Sequence, residues 1–113
     1  MKSEFRSLGK GYLYTFHNGK LREYYGEVLC DERSDNRPCI FTVLNEHKKR
    51  VKSLVCAFNE GEIYNKAVWL HTKNASVATK KLIDYEENEI VKLENRIQNH
   101  KDIIEFLRKE IES

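Results

Sequence analysis

GYLYTFHNGKLREYYGEVLC, Gly11–Cys30, is the stretch that decides how this chain folds. Asn18-Gly19 stands between two aromatic-rich runs. Both residues tolerate the positive φ of a type I′ turn, so the pair signals a β-hairpin. Strand one is expected at Gly11–His17 and strand two at Lys20–Asp31. The polar stretch DERSDNRP follows and ends at the only proline, Pro38. Three more strands are read from CIFTVLNE (39–46), VKSLVCAF (51–58) and EIYNKAVWLH (62–71), with HKKR and NEGE as turns. Short, even spacing argues an antiparallel meander of about five strands, flat or curled like a small barrel.

After TKNAS the pattern changes. Asn74 or Ser76 can cap a first helical turn. Asn74-Ala-Ser also matches a glycosylation acceptor formally and is read here as the cap. From Val77 to Ser113 there is neither Gly nor Pro. An unbroken helix of about 35 residues would run roughly 50 Å at 1.5 Å per residue. A break near Asn88 or Asn95–Asn99, giving two shorter helices, is the alternative. The whole chain, 1–113, is thus expected to be a single α+β domain: an antiparallel sheet over 9–71, then a helical segment over 75–112.

That segment carries a heptad. Ile83, Ile90, Ile97, Ile104 and Ile111 recur every seven residues, and Glu86, Leu93, His100 and Leu107 fill the d positions. Isoleucine at every a with leucine at two of the four d positions is a coiled-coil-like pattern. An ordinary amphipathic helix lying on its own sheet accounts for it as well. The expected interface residues are Ile83, Ile90, Leu93, Ile97, Ile104 and Leu107. Charge then selects orientation. A parallel pair would oppose Glu89 to Glu94′ and Arg96 to Lys101′, like against like. An antiparallel pair sets Glu87 by Arg108′ and Glu94 by Lys101′, each worth only a few tenths of a kcal/mol. The twofold axis then passes near Gln98–Asn99. Arg96, Asn99 and His100 from two copies meet there, either bonding one another or holding a polar, anionic ligand.

The bulk numbers exclude several classes. In 113 residues, 40% are hydrophobic and 34% charged, and the net charge is +2. That is a globular balance with no charge excess announcing nucleic acid. No apolar run matches a membrane span or a signal peptide, so a cytoplasmic location is expected. Cys30, Cys39 and Cys56 form no Cys-x-x-Cys pair, and no histidine spacing completes a zinc site. Three reduced, buried cysteines are expected, with no metal, no cofactor and no catalytic residues. His17, His47, His71 and His100 are scattered over separate elements. No nucleotide-binding glycine loop, nucleophile elbow or zinc-protease motif occurs.

Three features invite a binding role. HKKRVK, His47–Lys52, is a basic turn whose Lys48, Lys49 and Arg50 could meet phosphate, although a solvated hairpin tip explains them too. Arg22, Arg33 and Arg37 add nearby positive charge. Tyr12, Tyr14 and Phe16 share one face of the first hairpin, as core or as a stacking platform. Trp69, just before the helix, is core or else a wall for an aromatic ligand, with His71 and Arg96 as neighbours.

Sheet, then VWL, then a polar cap, then KKLIDYEENEIVKLENRIQNHKDIIEFL resembles the plan of small accessory proteins of phages. Among them it is similar to the anti-Thoeris sponges. The resemblance implies a non-enzymatic, self-associating counter-defence protein that sequesters a cyclic ADP-ribose signal at an oligomer interface. It further implies that Trp69 stacks on adenine and that Arg96 and Arg108 take the pyrophosphate. Two alternatives stay open: a protein inhibitor of a host defence enzyme, such as a CRISPR nuclease, and a small nucleic-acid-binding module.

Overall fold

In the computed structural model, residues 5–31 and 38–112 are described. Arg33 and Arg37 fall outside them. The order is β1 (Phe5–His17), β2 (Lys20–Asp31), β3 (Cys39–Leu44), β4 (Arg50–Cys56), β5 (Ala67–Leu70) and α1 (Ala75–Glu112). The class is α+β, as the hydrophobic patterning indicates. The chain divides into two compact units, Met1–Leu82 and Ile83–Ser113.

In the first unit, five strands form one antiparallel sheet ordered β4-β3-β2-β1-β5. Asn18 and Gly19 take φ of 51° and 74°, and the β1–β2 register runs from His17↔Lys20 to Phe5↔Asp31. β1 starts earlier than expected because a bulge between Ser7 and Gly9 lets pairing continue past the glycines. The first four strands make a meander, whereas β5 returns to β1 through Tyr12↔Leu70 and Thr15↔Ala67. The sheet is open, not a closed barrel, with β4 and β5 at its edges.

β5 is shorter than the ten residues expected for it. Asn65 and Lys66, with φ of 51° and 60°, form a tight turn. Tyr64 and Ala67 close that turn by exchanging backbone hydrogen bonds of 2.9 and 3.0 Å. The turn consumes the residues that read as the first half of a strand.

Alternation along each strand builds two apolar clusters. On one face lie Leu13, Val28, Cys30, Cys39, Phe41, Val43, Cys56, Ala67 and Trp69. The Trp69 indole N–H donates to the Ala57 carbonyl at 2.7 Å, so β5 reaches the segment following β4 without pairing with that strand. On the other face, Tyr14, Val68 and Leu70 pack with Ala78 and Leu82 from the start of α1. Asn74 caps that helix: its Oδ1 accepts the Val77 N–H at 3.2 Å.

The cysteine expectation is corrected. Cys30 and Cys39 form a disulfide, with Cα atoms 4.7 Å apart. The cause is register: Leu29 pairs with Ile40, which sets Cys30 beside Cys39 at the end of the β2–β3 ladder. Cys56 alone is a free thiol, fully buried, and it pairs across strands with Cys39.

The second unit is the rest of α1, and the helix runs unbroken through Asn88 and Asn95–Asn99. Neither glycine nor proline interrupts it, and local side-chain pairs support it. Gln98 donates to Asp102 at 2.9 Å, and Lys109 lies 3.7 Å from Glu105.

Candidate functional site

The residues singled out by sequence separate into three groups. Trp69 and His71 belong to the first unit. Trp69 is 2% exposed, and its ring sits edge-on to His71 with centroids 4.8 Å apart. His71 is committed as well: its backbone N–H donates to Glu60 at 2.6 Å, and its Nδ1 lies 3.5 Å from the Lys10 carbonyl. As placed here, Trp69 belongs to the core, and neither face of its indole stands open for a ligand to stack on.

Lys48, Lys49 and Arg50 lie at the exposed β3–β4 turn. Asn45 shapes that turn, its side-chain oxygen accepting the His47 and Lys49 amides at 2.9 Å each. Lys48 takes a φ of 61° there. The three cations are solvated at a hairpin tip.

Arg96, Asn99, His100 and Arg108 are exposed on α1 in the second unit. So is the apolar stripe. Ile83, Ile90, Leu93, Ile97, Ile104 and Leu107 are 48–54% exposed, and Ile111 is 83% exposed. Val91, Ile103 and Phe106 beside them are also exposed. In this unit no described residue is buried. Lys101 and Arg108 flank Ile104 with Glu105, forming a shallow, mixed basic and apolar strip along the helix. Single exposed apolar residues are ordinary on a protein surface; here they recur along one helix from Ile83 to Ile111.

Sequence reading missed one depression, which lies entirely in the sheet unit. Its lining includes Thr15, His17, Arg22, Tyr24, Lys52 and Lys66. Lys52 Nζ donates to the Tyr24 hydroxyl at 2.9 Å and stands 4.1 Å from the ring centroid. The hydrogen bond from Lys52 holds the Tyr24 phenol below its ordinary pKa. Desolvation opposes that shift, and the charges of Lys52 and Arg22 reinforce it. The signal was present in alternation: Arg22 and Tyr24 share a strand face, as do Lys52 and Leu54. What sequence could not supply was the sheet register that brings the two strands' residues together with Lys66.

Among the described residues no group of three or more His, Cys, Asp or Glu could hold a metal ion, and no helix is long and apolar enough to cross a membrane. Compared with protein families, curated proteins and solved structures, the chain gives no match.

Proposed function

We propose that the chain is a non-enzymatic, self-associating binding protein of the phage counter-defence kind, and that it sequesters a nucleotide-like signal of the cyclic ADP-ribose class. One observation carries this reading: the exposed stripe from Ile83 to Ile111, interrupted near its middle by Arg96, Asn99 and His100. Fully burying an isoleucine or leucine is worth about 1.5–3 kcal/mol, so half-exposed residues at seven-residue spacing form a strong adhesive seam. A second copy packed antiparallel satisfies the seam and its charges together, with Glu87 by Arg108′ and Glu94 by Lys101′. Around the resulting axis, two sets of Arg96, Asn99 and His100 form a polar cleft suited to an anion.

The same stripe favours a second reading, in which its occupant is a helix of a host defence enzyme and the chain acts by blocking that enzyme's surface. The proposed place of action is the host cytoplasm. Thiol-reducing pools there act on structural disulfides, so the reading includes a form with Cys30–Cys39 open.

Sedimentation at micromolar concentration, paired with thermal shift against cyclic ADP-ribose isomers, tests the proposal. A dimer, stabilised by a ligand that is recovered intact after denaturation, is the expected result. Arg96→Ala or His100→Ala should abolish the shift while leaving the dimer. A monomer insensitive to every isomer defeats the reading, and co-purification with one host enzyme at fixed stoichiometry favours the surface-blocking alternative.

A further inference from the structure

The sheet unit offers a second polar feature, independent of the helix. Its origin is the register of the first hairpin. Thr15 pairs with Arg22 and Leu13 with Tyr24, so Arg22 and Tyr24 project from the face whose centre is filled by Leu13, Phe41 and Trp69. On β4, Lys52 and Leu54 share that face, since Leu54 packs against the same cluster. The apolar filling ends at Tyr24 and Leu54, and beyond it lies a depression of about 370 Å³. That volume falls within the usual range of small-ligand sites and fits a mononucleotide.

Among the described residues that line it are Arg22, Lys52, Lys66 and His17, and none of that lining is Asp or Glu. The nearest acid in sequence, Glu23, has the opposite strand parity; it lies 3.5 Å from Lys73 and hydrogen-bonds Tyr14 on the other face. Lys52 and Arg22 both act on the Tyr24 hydroxyl. Confining like charges is unfavourable, and an anion among them relieves it.

Lys66 adds a second observation. It stands in the left-handed region, where a side chain costs backbone energy and glycine does not. Strain of this kind collects at functional positions. The turn that imposes it brings a third cation to the rim.

We infer that this depression binds the phosphate of a small phosphate ester of mononucleotide size, with Arg22, Lys52 and Lys66 on the phosphate oxygens and the Tyr24 hydroxyl donating to one of them. Lys52 occupies the acceptor side of Tyr24, which leaves the phenolic proton to point at the ligand. Leu54 supplies an apolar wall for the sugar or base. The inference rests on the nucleotide-like ligand class proposed above and uses residues of the sheet unit alone.

Isothermal titration calorimetry with ADP, pyrophosphate and adenosine tests it. ADP and pyrophosphate should bind, with affinity falling as salt rises, and adenosine should not. Arg22→Ala and Lys52→Gln should each weaken ADP roughly tenfold or more, as loss of a charge-assisted hydrogen bond does. Lys66→Gly should weaken it roughly fivefold or more while keeping the turn, because glycine suits that φ. Lys66→Gly keeps the test decisive even if a change at Lys52 disturbs packing. Absence of ADP and pyrophosphate binding by the native chain, or native affinity in all three variants, overturns the inference. Loss of ADP binding in Arg96→Ala or His100→Ala, with native affinity in Arg22→Ala, Lys52→Gln and Lys66→Gly, would assign the phosphate to the axial site on α1 and overturn the sheet site.

Discussion

The Tyr14 hydroxyl accepts the backbone N–H of Asn74 at 2.9 Å, tying the middle of β1 to the residue that caps α1. The phenol is fully buried, and its bond occupies an amide that the helix's own ladder would leave bare. Tyr14→Phe removes the acceptor and keeps the ring. It should cost about 1 kcal/mol, the usual net contribution of one intramolecular hydrogen bond. Urea unfolding measures this, and an unchanged midpoint would show that the bond does not anchor the helix start.

The alkaline limb of stability should report two buried acids. Burial pushes the Cys56 thiol up to about 12 from 9.0. Burial, then hydrogen bonding to Glu23, pushes Tyr14 up to about 12 from 10.0. The folded chain keeps both protons while the unfolded chain ionises at the ordinary values. Their contribution is therefore complete below about pH 9 and is lost as pH rises from there to about 12. In Cys56→Ala the decline should begin about one unit higher, where Tyr14 alone drives it. A decline that starts at the same pH in both proteins would remove Cys56 from the account.

Opening the Cys30–Cys39 bond should lower stability by about 2–3 kcal/mol, the loop-closure value for a separation of this size. The paired Cys30→Ser, Cys39→Ser variant should therefore melt lower than the oxidised protein and lose all response to reductant. Because Cys56 sits across from Cys39, the single variant Cys30→Ser should also be examined by thiol counting. Two titratable thiols after unfolding are expected. Fewer would mean that Cys39 and Cys56 had joined.

Charge reversal tests the orientation of the helix pair. Glu94→Lys alone and Lys101→Glu alone should each weaken self-association, because each change places like charges together twice per dimer. The double variant should restore it. Sedimentation velocity gives the dissociation constants, and a double variant no better than the singles argues against antiparallel contact.

Much of the fold was legible because the signals were local. Asn18-Gly19 set the first hairpin, the polar DERSDNRP stretch bounded β2 at its last residue, and the absence of glycine and proline after Val77 announced the helix. The unreadable parts depend on what distant residues do. Asn65-Lys66 turns without a glycine, so β5 looked longer than it is. Cys30 and Cys39 lie on separate strands, and only the register between Leu29 and Ile40 makes them partners. The sheet depression draws on β1, β2, β4 and the Tyr64–Ala67 turn, a combination that no short window of sequence contains. The apolar stripe on α1 was visible as a repeat, whereas its exposure could be known only from the folded chain.

The return of β5 to β1 has a consequence for biosynthesis. The outer edge of β1, from Tyr12 to Thr15, acquires its neighbour only when Ala67–Leu70 is available. On a ribosome, four strands can assemble while that edge still offers bare amides and carbonyls to the solvent. An uncovered strand edge invites pairing with another nascent chain, and contacts spanning so many residues form slowly. Release or stalling before Leu70 should therefore yield aggregation rather than a smaller stable sheet, and chaperone demand during synthesis should fall sharply once that residue has left the exit tunnel.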